Sequence, residues 1–236
     1  MEKTPPTPKK FDPNNDPAKL AKVGAHVTKR LEENENIHRV DNSDVQLYVY
    51  LDFLDAADCQ MLIAKINADA VPSTLYHGTE KKGFRTSSSC HLNRWDADIA
   101  SIEKRMSDVL GIHNNFAETM QGQRYEVGQE FKAHHDFFHP SQDYWIDEGP
   151  SGGQRSWTAM IFLNQPKEGG ETEFSKIGIG VRPMPGMMLI WNNVHIDGTL
   201  NYDTLHTGTP VVKGTKHIIT KWYRQHNWLE LNTPGG

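Results

Sequence analysis

The sequence has little of what builds a secreted scaffold, a membrane protein or a nucleic-acid binder. Of 236 residues only two are cysteine, Cys59 and Cys90, too few for a disulfide framework or a thiolate zinc site, and suited to buried thiols in a reducing compartment. No apolar run approaches the roughly 18 residues of a membrane helix. The opening MEKTPPTPKK has no apolar stretch behind its charges, so no secretory signal is expected and the cytoplasm is the predicted location. The formal charge is -5, and basic residues form nothing longer than short Lys pairs, which argues against a dedicated nucleic-acid partner. Internal repeats are lacking too. A hydrophobic content of 36% still allows one large domain with an extension and a sizeable core.

What is present begins with prolines at positions 5, 6, 8, 13 and 17, which block helix and ladder alike and predict a disordered or draped arm over 1–17. Leu20, Val23, Val27 and Leu31 recur at helical spacing, giving an amphipathic helix over 18–35 within an extension reaching residue 40. Val45–Leu51 is rich in β-branched and aromatic residues and reads as a strand. Asp55 then caps a helix carrying Cys59, Leu62, Ile63 and Ile66 on one stripe. Pro72, Gly78 and Gly83 mark a mobile loop over 72–83. Phe84–Leu92 alternates as a strand, and Asp96 caps a further helix with Ile99, Ile102, Met106 and Val109 inside and Gly111 closing it. From Thr119 onward the helical period vanishes. Short strands are predicted at 120–127, 131–137, 156–163, 171–174, 179–183, 187–191, 205–209 and 216–223, separated by Gly, Pro and Asn turns. The expected fold is therefore mostly β: a jelly roll (double-stranded β-helix, cupin-like) with the N-terminal helices packed on one face.

The chemistry concentrates in YEVGQEFKAHHDFF, Tyr125 to Phe138. On a strand over 131–137, His134 and Asp136 point to one side and His135 to the other. That makes two thirds of a metal site, and a strand cannot supply the third ligand from within a few residues. His206, in LHTGTPVVKGTKHIITKWYR, is the candidate, completing the two-histidine, one-carboxylate set that leaves open positions on non-haem Fe(II). His135 and His139 are expected on the structural or substrate side. In KHIITKWYR, Lys216, Ile218, Thr220 and Trp222 share one face. If that face is interior, an ammonium lies in an apolar cavity, where it is costly without an anion. No Asp or Glu nearby in sequence offers one, so a ligand carboxylate is the expected partner. A turn between Pro210 and Gly214 would place His206 and Lys216 on adjoining strands.

These stretches, with FRTSSSCHL, GGQRSWTAMIFLNQPKEGGETEF and VRPMPGMMLIW, resemble in content and order the Fe(II)- and 2-oxoglutarate-dependent dioxygenases, specifically the prolyl 4-hydroxylase branch, over about residues 45–226. The resemblance implies a dioxygenase domain at 41–228 with its iron and 2-oxoglutarate core at about 118–226, and a tail at 229–236. It implies His134, Asp136 and His206 as iron ligands and as the catalytic centre, and Lys216 as the residue on the distal carboxylate of 2-oxoglutarate, with Tyr125 and Thr158 hydrogen-bonding the same cosubstrate. It further implies dioxygen and L-ascorbate as co-reactant and reductant, and hydroxylation of a prolyl residue in a peptide or protein with decarboxylation of 2-oxoglutarate to succinate. Retention of Asp136 favours hydroxylation over halogenation. By the same resemblance Arg85 lies beside the peptide groove and Tyr76 in a loop that closes over it, with Trp191 and Trp222 lining the cavity. The position of Arg224 departs from relatives that carry histidine nearby. Two alternatives stand beside this reading: the same cofactors acting on a free amino acid or other small molecule, and a metal-stabilised jelly roll that only binds. The sequence leaves the oligomeric state open.

Overall fold

Three aspartates and one glycine mark out the helices. The computed structural model describes residues 11–75 and 83–233. The carboxylate of Asp16 accepts from the backbone N–H of Ala18 and Lys19 and opens α1 (Pro17–Glu32), where Pro17 costs nothing because its missing N–H falls in the first turn. After β1 (Ile37–Arg39) and β2 (Leu47–Tyr50), Asp55 accepts from the Asp58 N–H to start α2 (Ala56–Asp69). β3 (Val71–Pro72) and β4 (Ser88–His91) precede α3 (Ala97–Leu110), which Asp96 caps and Gly111 ends in the left-handed conformation at φ +69°. The caps at Asp55, Asp96 and Gly111 match the sequence reading, whereas the Asp16 cap is not anticipated there and α1 ends at Glu32 rather than at residue 35. In the last turn of α3, Leu110 rather than Val109 is fully buried.

The β-rich half follows as β5 (Gln121–Tyr125), β6 (Phe131–His134), the short α4 (Trp145–Glu148), β7 (Arg155–Phe162), β8 (Glu168–Gly169), β9 (Thr172–Phe174), β10 (Ile179–Val181), β11 (Met188–Asn192), β12 (His206–Gly208), β13 (Val211–Lys213), β14 (Lys216–Arg224) and α5 (Trp228–Asn232). One sheet has the order β1-β2-β11-β7-β14-β5-β4-β3, a second β10-β9-β12-β6, and β13 pairs with β8. Neighbouring strands run antiparallel throughout these ladders. The two larger sheets face each other as a jelly roll, and the helices cover the outer face of the larger one.

Strand β7 shows why this arrangement is stable. All eight of its residues are buried, as a central strand covered on both faces requires. Trp157, Ala159 and Ile161 join the core beneath the helices, with Leu31, Leu62, Ile66, Ile102 and Met106. Met160 and Phe162 join the core between the sheets, with Phe174, Leu189, Trp191 and Ile218. Each fully buried side chain of this kind contributes about 1.5–3 kcal/mol. β14 divides the same way, sending Ile219 and Tyr223 to the helices and Ile218 to the interior.

Several expectations need correction. His206 and Lys216 are not on adjoining strands: β12 belongs to the smaller sheet and β14 to the larger, and β13, followed by Gly214 at φ +94°, carries the chain from one to the other. Pro210 and Gly214 thus mark a crossover rather than a hairpin. The strand expected over 131–137 stops at His134, and that over 84–92 forms a regular ladder only from Ser88 to His91, while Arg85 before it makes an isolated antiparallel bridge to Phe131. Pro72 pairs in β3 with β4 instead of opening a loop. Tyr76 lies outside the described residues, as do residues 1–10 of the arm. Residues 12–16 of that arm are draped over the body: the Asn14 carbonyl accepts from the Gln154 N–H at 2.9 Å and the Pro13 carbonyl from Gln225 Nε2 at 2.7 Å. Both cysteines are buried and unpaired. Among the described residues no helix is long and apolar enough to cross a membrane.

Candidate metal centre and cosubstrate pocket

Antiparallel pairing brings the two histidines together. His134 ends β6 and His206 begins β12, and the two are direct cross-strand partners, with ring centroids 4.3 Å apart. Asp136 lies two residues past the end of β6, on the same side as His134, and places Oδ1 3.7 Å from His134 Nε2 and 4.0 Å from His206 Nε2. Ligand atoms of the three all lie within 4.8 Å of one another. His134 Nδ1 sits 2.8 Å from the Lys132 carbonyl and His206 Nδ1 2.9 Å from the Thr204 carbonyl. Each contact suits an Nδ1–H donor and leaves Nε2 with its lone pair toward the common centre. His135 points away, its Nε2 3.0 Å from the Tyr202 carbonyl, in a cluster with Phe137, His139 and Tyr202.

Electrostatics favour a cation here. Burial and the neighbouring His206 push the His134 pKa down to about 3, against the opposing pull of Asp136, so the ring is neutral and able to ligate at neutral pH. Burial works to raise the Asp136 carboxyl, but His206, His134 and Arg155 outweigh it and hold the pKa below the usual range. The second carboxylate oxygen is fixed from behind: Thr158 Oγ1 donates to Asp136 Oδ2 at 2.8 Å, and Asn193 Nδ2 donates to Thr158 Oγ1 at 2.9 Å. Two imidazoles and one oriented carboxylate are a donor set that fits ferrous iron, with ligand positions left open.

Behind the triad lies a small inner cavity, whose walls include Gln123, Tyr125, Thr172, Trp191, Lys216 and Thr220. Lys216 and Tyr125 are cross-strand partners, and Nζ lies 5.4 Å from the centre of both the Tyr125 and Phe162 rings. Burial lowers the lysine pKa to about 7, with Glu171 opposing. Among the described residues no acceptor forms a hydrogen bond or ion pair with Nζ. Tyr125 donates to Gln123 Oε1 at 2.8 Å, and Gln123 Nε2 donates to Thr220 Oγ1 at 3.0 Å, so these three form one polar wall. Trp191 stacks edge-on against His206 at 5.0 Å, and its buried indole N–H also lacks a partner among the described residues. An unpaired ammonium and an unpaired N–H around a cavity behind a metal triad are what an anionic, metal-chelating cosubstrate would satisfy.

In front of the triad is a wider groove of about 710 Å³, bordered by Phe84, Arg85, His135, Phe138, Tyr144 and Trp228. Phe131, His134, Asp136 and Trp222 line both spaces, so the metal position is the junction between them. Arg85 lies over the Phe131 ring at 4.9 Å and donates to Gln121 Oε1 at 2.8 Å and to Ser87 Oγ at 3.2 Å. Of the residues expected from sequence, His134, Asp136, His206, Lys216, Tyr125, Trp191 and Trp222 converge on this centre. Arg85 borders the groove, and Thr158 spends its hydroxyl on Asp136.

Local sequence gave no warning of the groove's charged floor. Glu118 receives a bidentate pair from Arg155, Nε to Oε1 and Nη2 to Oε2 both at 2.6 Å, and a further bond of 2.9 Å from Arg224. The Arg155 guanidinium stacks 4.1 Å from the centre of Trp222. Arg224 also reaches Glu148 Oε2 at 3.1 Å and the Gly153 carbonyl at 2.8 Å. Gln123 and Thr220 did carry a signal, sharing strand faces with Tyr125 and Lys216.

Comparison with known proteins agrees with this geometry. A family model described as the 2OG-Fe(II) oxygenase superfamily matches residues 120–224. The probable prolyl 4-hydroxylase 3 of Arabidopsis thaliana is 33% identical over 201 residues, covering 74% of this chain and 68% of the relative. The fold is shared with the viral collagen prolyl hydroxylase of Paramecium Bursaria Chlorella virus-1, solved with 2OG (TM-score 0.59, 23% identity, 82% of this chain and 98% of that one). It is shared as well with a Trichoplax adhaerens prolyl hydroxylase solved with a hypoxia inducible factor peptide fragment (TM-score 0.55, 14% identity, 91% and 94%).

Proposed function

The chain belongs to the 2OG-Fe(II) oxygenase superfamily, on its prolyl 4-hydroxylase-like branch, and from that premise we propose that it hydroxylates prolyl residues in a peptide or protein laid along the outer groove. The observation that carries the reading is the junction: the His134, Asp136, His206 triad separates a small cavity, whose buried lysine has no partner among the described residues, from a long open groove. Iron with 2-oxoglutarate and dioxygen supplies the oxidising power, hydroxylating a C–H bond while 2-oxoglutarate is decarboxylated to succinate, and ascorbate is proposed as the reductant that keeps the iron ferrous. Everything else is the work of this chain's side chains. His134 and His206 would hold the metal through Nε2, and Asp136 through the oxygen that Thr158 leaves unbound. Lys216 would receive the distal carboxylate of the cosubstrate, with Tyr125, Gln123 and Thr220 forming the wall beside it. Thr158 is therefore assigned as a positioning residue for Asp136.

The aromatic lining of the groove, Phe84, Phe131, Phe138, Tyr144, Trp222 and Trp228, suits an extended proline-rich chain, which is pre-ordered and docks on aromatic surfaces. Arg85 and Trp222 are proposed as substrate contacts, and Trp191, packed against His206, as a wall of the inner cavity. The size and openness of the groove argue against a free amino acid. Buried, unpaired Cys59 and Cys90 accord with a cytoplasmic location.

The test is mass spectrometry of proline-containing peptides incubated with enzyme, iron, ascorbate and 2-oxoglutarate. The expected result is one added oxygen on proline with equimolar succinate. Free proline modified in place of peptides, or no turnover of 2-oxoglutarate at all, would overturn it. Asp136→Asn should abolish turnover, whereas His135→Ala should leave iron binding intact.

A further inference from the structure

The amino-terminal arm ends beside the groove. Asp12 Oδ2 accepts from Trp145 Nε1 at 2.8 Å, and Trp145 packs on Phe138, ring centroids 6.1 Å apart, with Tyr144 on the same ring at 5.8 Å. Phe138 and Tyr144 both border the groove. Asn14 is tied to the Gln154 N–H. The Gln154 side chain in turn brackets Phe138, accepting from its N–H at 2.6 Å and donating to its carbonyl at 2.8 Å. Phe138 is two residues from Asp136. From Asn14 to Asp136 the path is thus two hydrogen bonds, one glutamine side chain and two residues of chain, roughly 20 Å.

Ahead of this anchor stand Thr4, Pro5, Pro6, Thr7 and Pro8. The separation from Asn14 is six residues for Pro8 and eight or nine for Pro6 and Pro5, an extended reach of about 20 Å and about 26–32 Å. The path from Asn14 to Asp136 is the longest that gap can be, so Pro5 and Pro6 arrive with slack and Pro8 with the least. The charge of Lys9 and Lys10 on this stretch complements the exposed carboxylates of Asp143 and Asp147, next to the Trp145 anchor.

We propose that this enzyme hydroxylates its own arm in cis, at Pro5 or Pro6, an inference that rests on the prolyl hydroxylase reading of the site. One ring C–H bond is replaced by C–OH. One atom of dioxygen enters that hydroxyl and the other the new carboxylate of succinate, while the first carbon of 2-oxoglutarate leaves as carbon dioxide. The prolyl ring and the cosubstrate each give up two electrons, which together reduce dioxygen. The cis arrangement replaces diffusion with an effective concentration on the order of millimolar.

The experiment is peptide mapping by mass spectrometry of the full chain incubated with iron, ascorbate and 2-oxoglutarate in air. One added oxygen is expected on Pro5 or Pro6, lost in the Pro5→Ala/Pro6→Ala chain and in His134→Ala. The rate should not depend on enzyme concentration, and a His134→Ala chain mixed with active enzyme should stay unmodified. With the free peptide MEKTPPTPKK at roughly 10 µM, the tethered arm should react on the order of a hundredfold faster. Asp12→Ala should slow the arm severalfold while an oligoproline peptide is turned over as before. Modification proportional to enzyme concentration, equal labelling of the inactive chain, or oxygen on Pro8 alone would overturn the cis assignment. An oligoproline peptide hydroxylated beside an unmodified arm would end this inference and leave the proposed function standing. If neither gains oxygen and no succinate forms, the prolyl hydroxylase reading itself fails.

Discussion

An ammonium buried without a hydrogen-bonded counter-ion destabilises the protein that carries it until something pairs with it, and Lys216, which has none among the described residues, makes that cost measurable. Burial brings its pKa from an unfolded value of about 10.4 down to about 7. Below pH 7 the lysine is charged in both states and the folded protein bears the full penalty, which fades as the pH rises from 7 toward 10. Stability of the cosubstrate-free protein should therefore rise across that window through this group, and Lys216→Met should raise Tm at pH 6–7 and flatten the rise. The same substitution should remove the stabilisation that 2-oxoglutarate gives to the wild type. Because a bound carboxylate restores the charge, cosubstrate binding at pH 8 should take up a proton. Calorimetry in two buffers of different ionisation enthalpy reads it directly, and zero uptake would place Lys216 outside the binding site. Thr158 answers to a different measurement. Thr158→Val keeps the shape but removes the donor to Asp136, so metal affinity should fall about 10- to 100-fold, with the requirement for 2-oxoglutarate changed less. Loss of 2-oxoglutarate affinity with metal binding intact would return Thr158 to the cosubstrate.

At the scale of one element, β14 buries two lysines on opposite faces. Lys216 faces the cavity, while Lys221 turns to the helices and meets Glu103 at 2.6 Å, both wholly buried. Breaking such a pair from one side costs about 3–5 kcal/mol. Lys221→Met alone should therefore lower stability by that order in urea unfolding. Adding Glu103→Gln, which keeps an oxygen for Asn114 Nδ2, now 2.7 Å from Glu103, should recover most of it. If the double variant is as unstable as the single one, the pair is not what matters. The faces of β14 were legible because a strand alternates with period two, and the caps at Asp55 and Asp96 because the capping side chain lies within three residues of the N–H it binds. His134 and Asp136 were readable for the same local reason, although β6 ends between them. The sheet membership of His206 and Lys216 was not readable: Pro210 and Gly214 signal a change of direction but cannot say whether the chain returns to the same sheet or crosses to the other. α4 and α5 have four and five residues, too few for any periodicity to show. The Glu118 cluster joins residues 37 and 106 apart in sequence, where only the folded chain makes them neighbours.

For the molecule as a whole, the site depends on a core it does not touch. The larger sheet is held from outside by helices and from inside by the facing sheet, so α1, remote from the metal, supports β7 and through it Thr158 and Asp136. Leu20, Val27 and Leu31 of α1 are entirely buried, at about 1.5–3 kcal/mol each, a sum comparable to the roughly 5–15 kcal/mol that keeps a domain folded. The arm before it contributes differently. Its carbonyls and the Asp12 carboxylate make hydrogen bonds to Gln154, Gln225, His226 and Trp145, each worth about 0.5–1.5 kcal/mol net. Two truncations separate these roles. Removing residues 1–15 leaves Asp16 to cap α1, so the protein should still melt cooperatively, a few degrees lower, and should still turn over 2-oxoglutarate with added peptide. Removing residues 1–33 uncovers the outer core, and that chain should lose its cooperative transition in circular dichroism and be recovered as aggregate. A cooperative melt at the wild-type temperature after the longer deletion would mean that the sheets stand without their helical cover, and the dependence of the metal site on α1 would have to be abandoned.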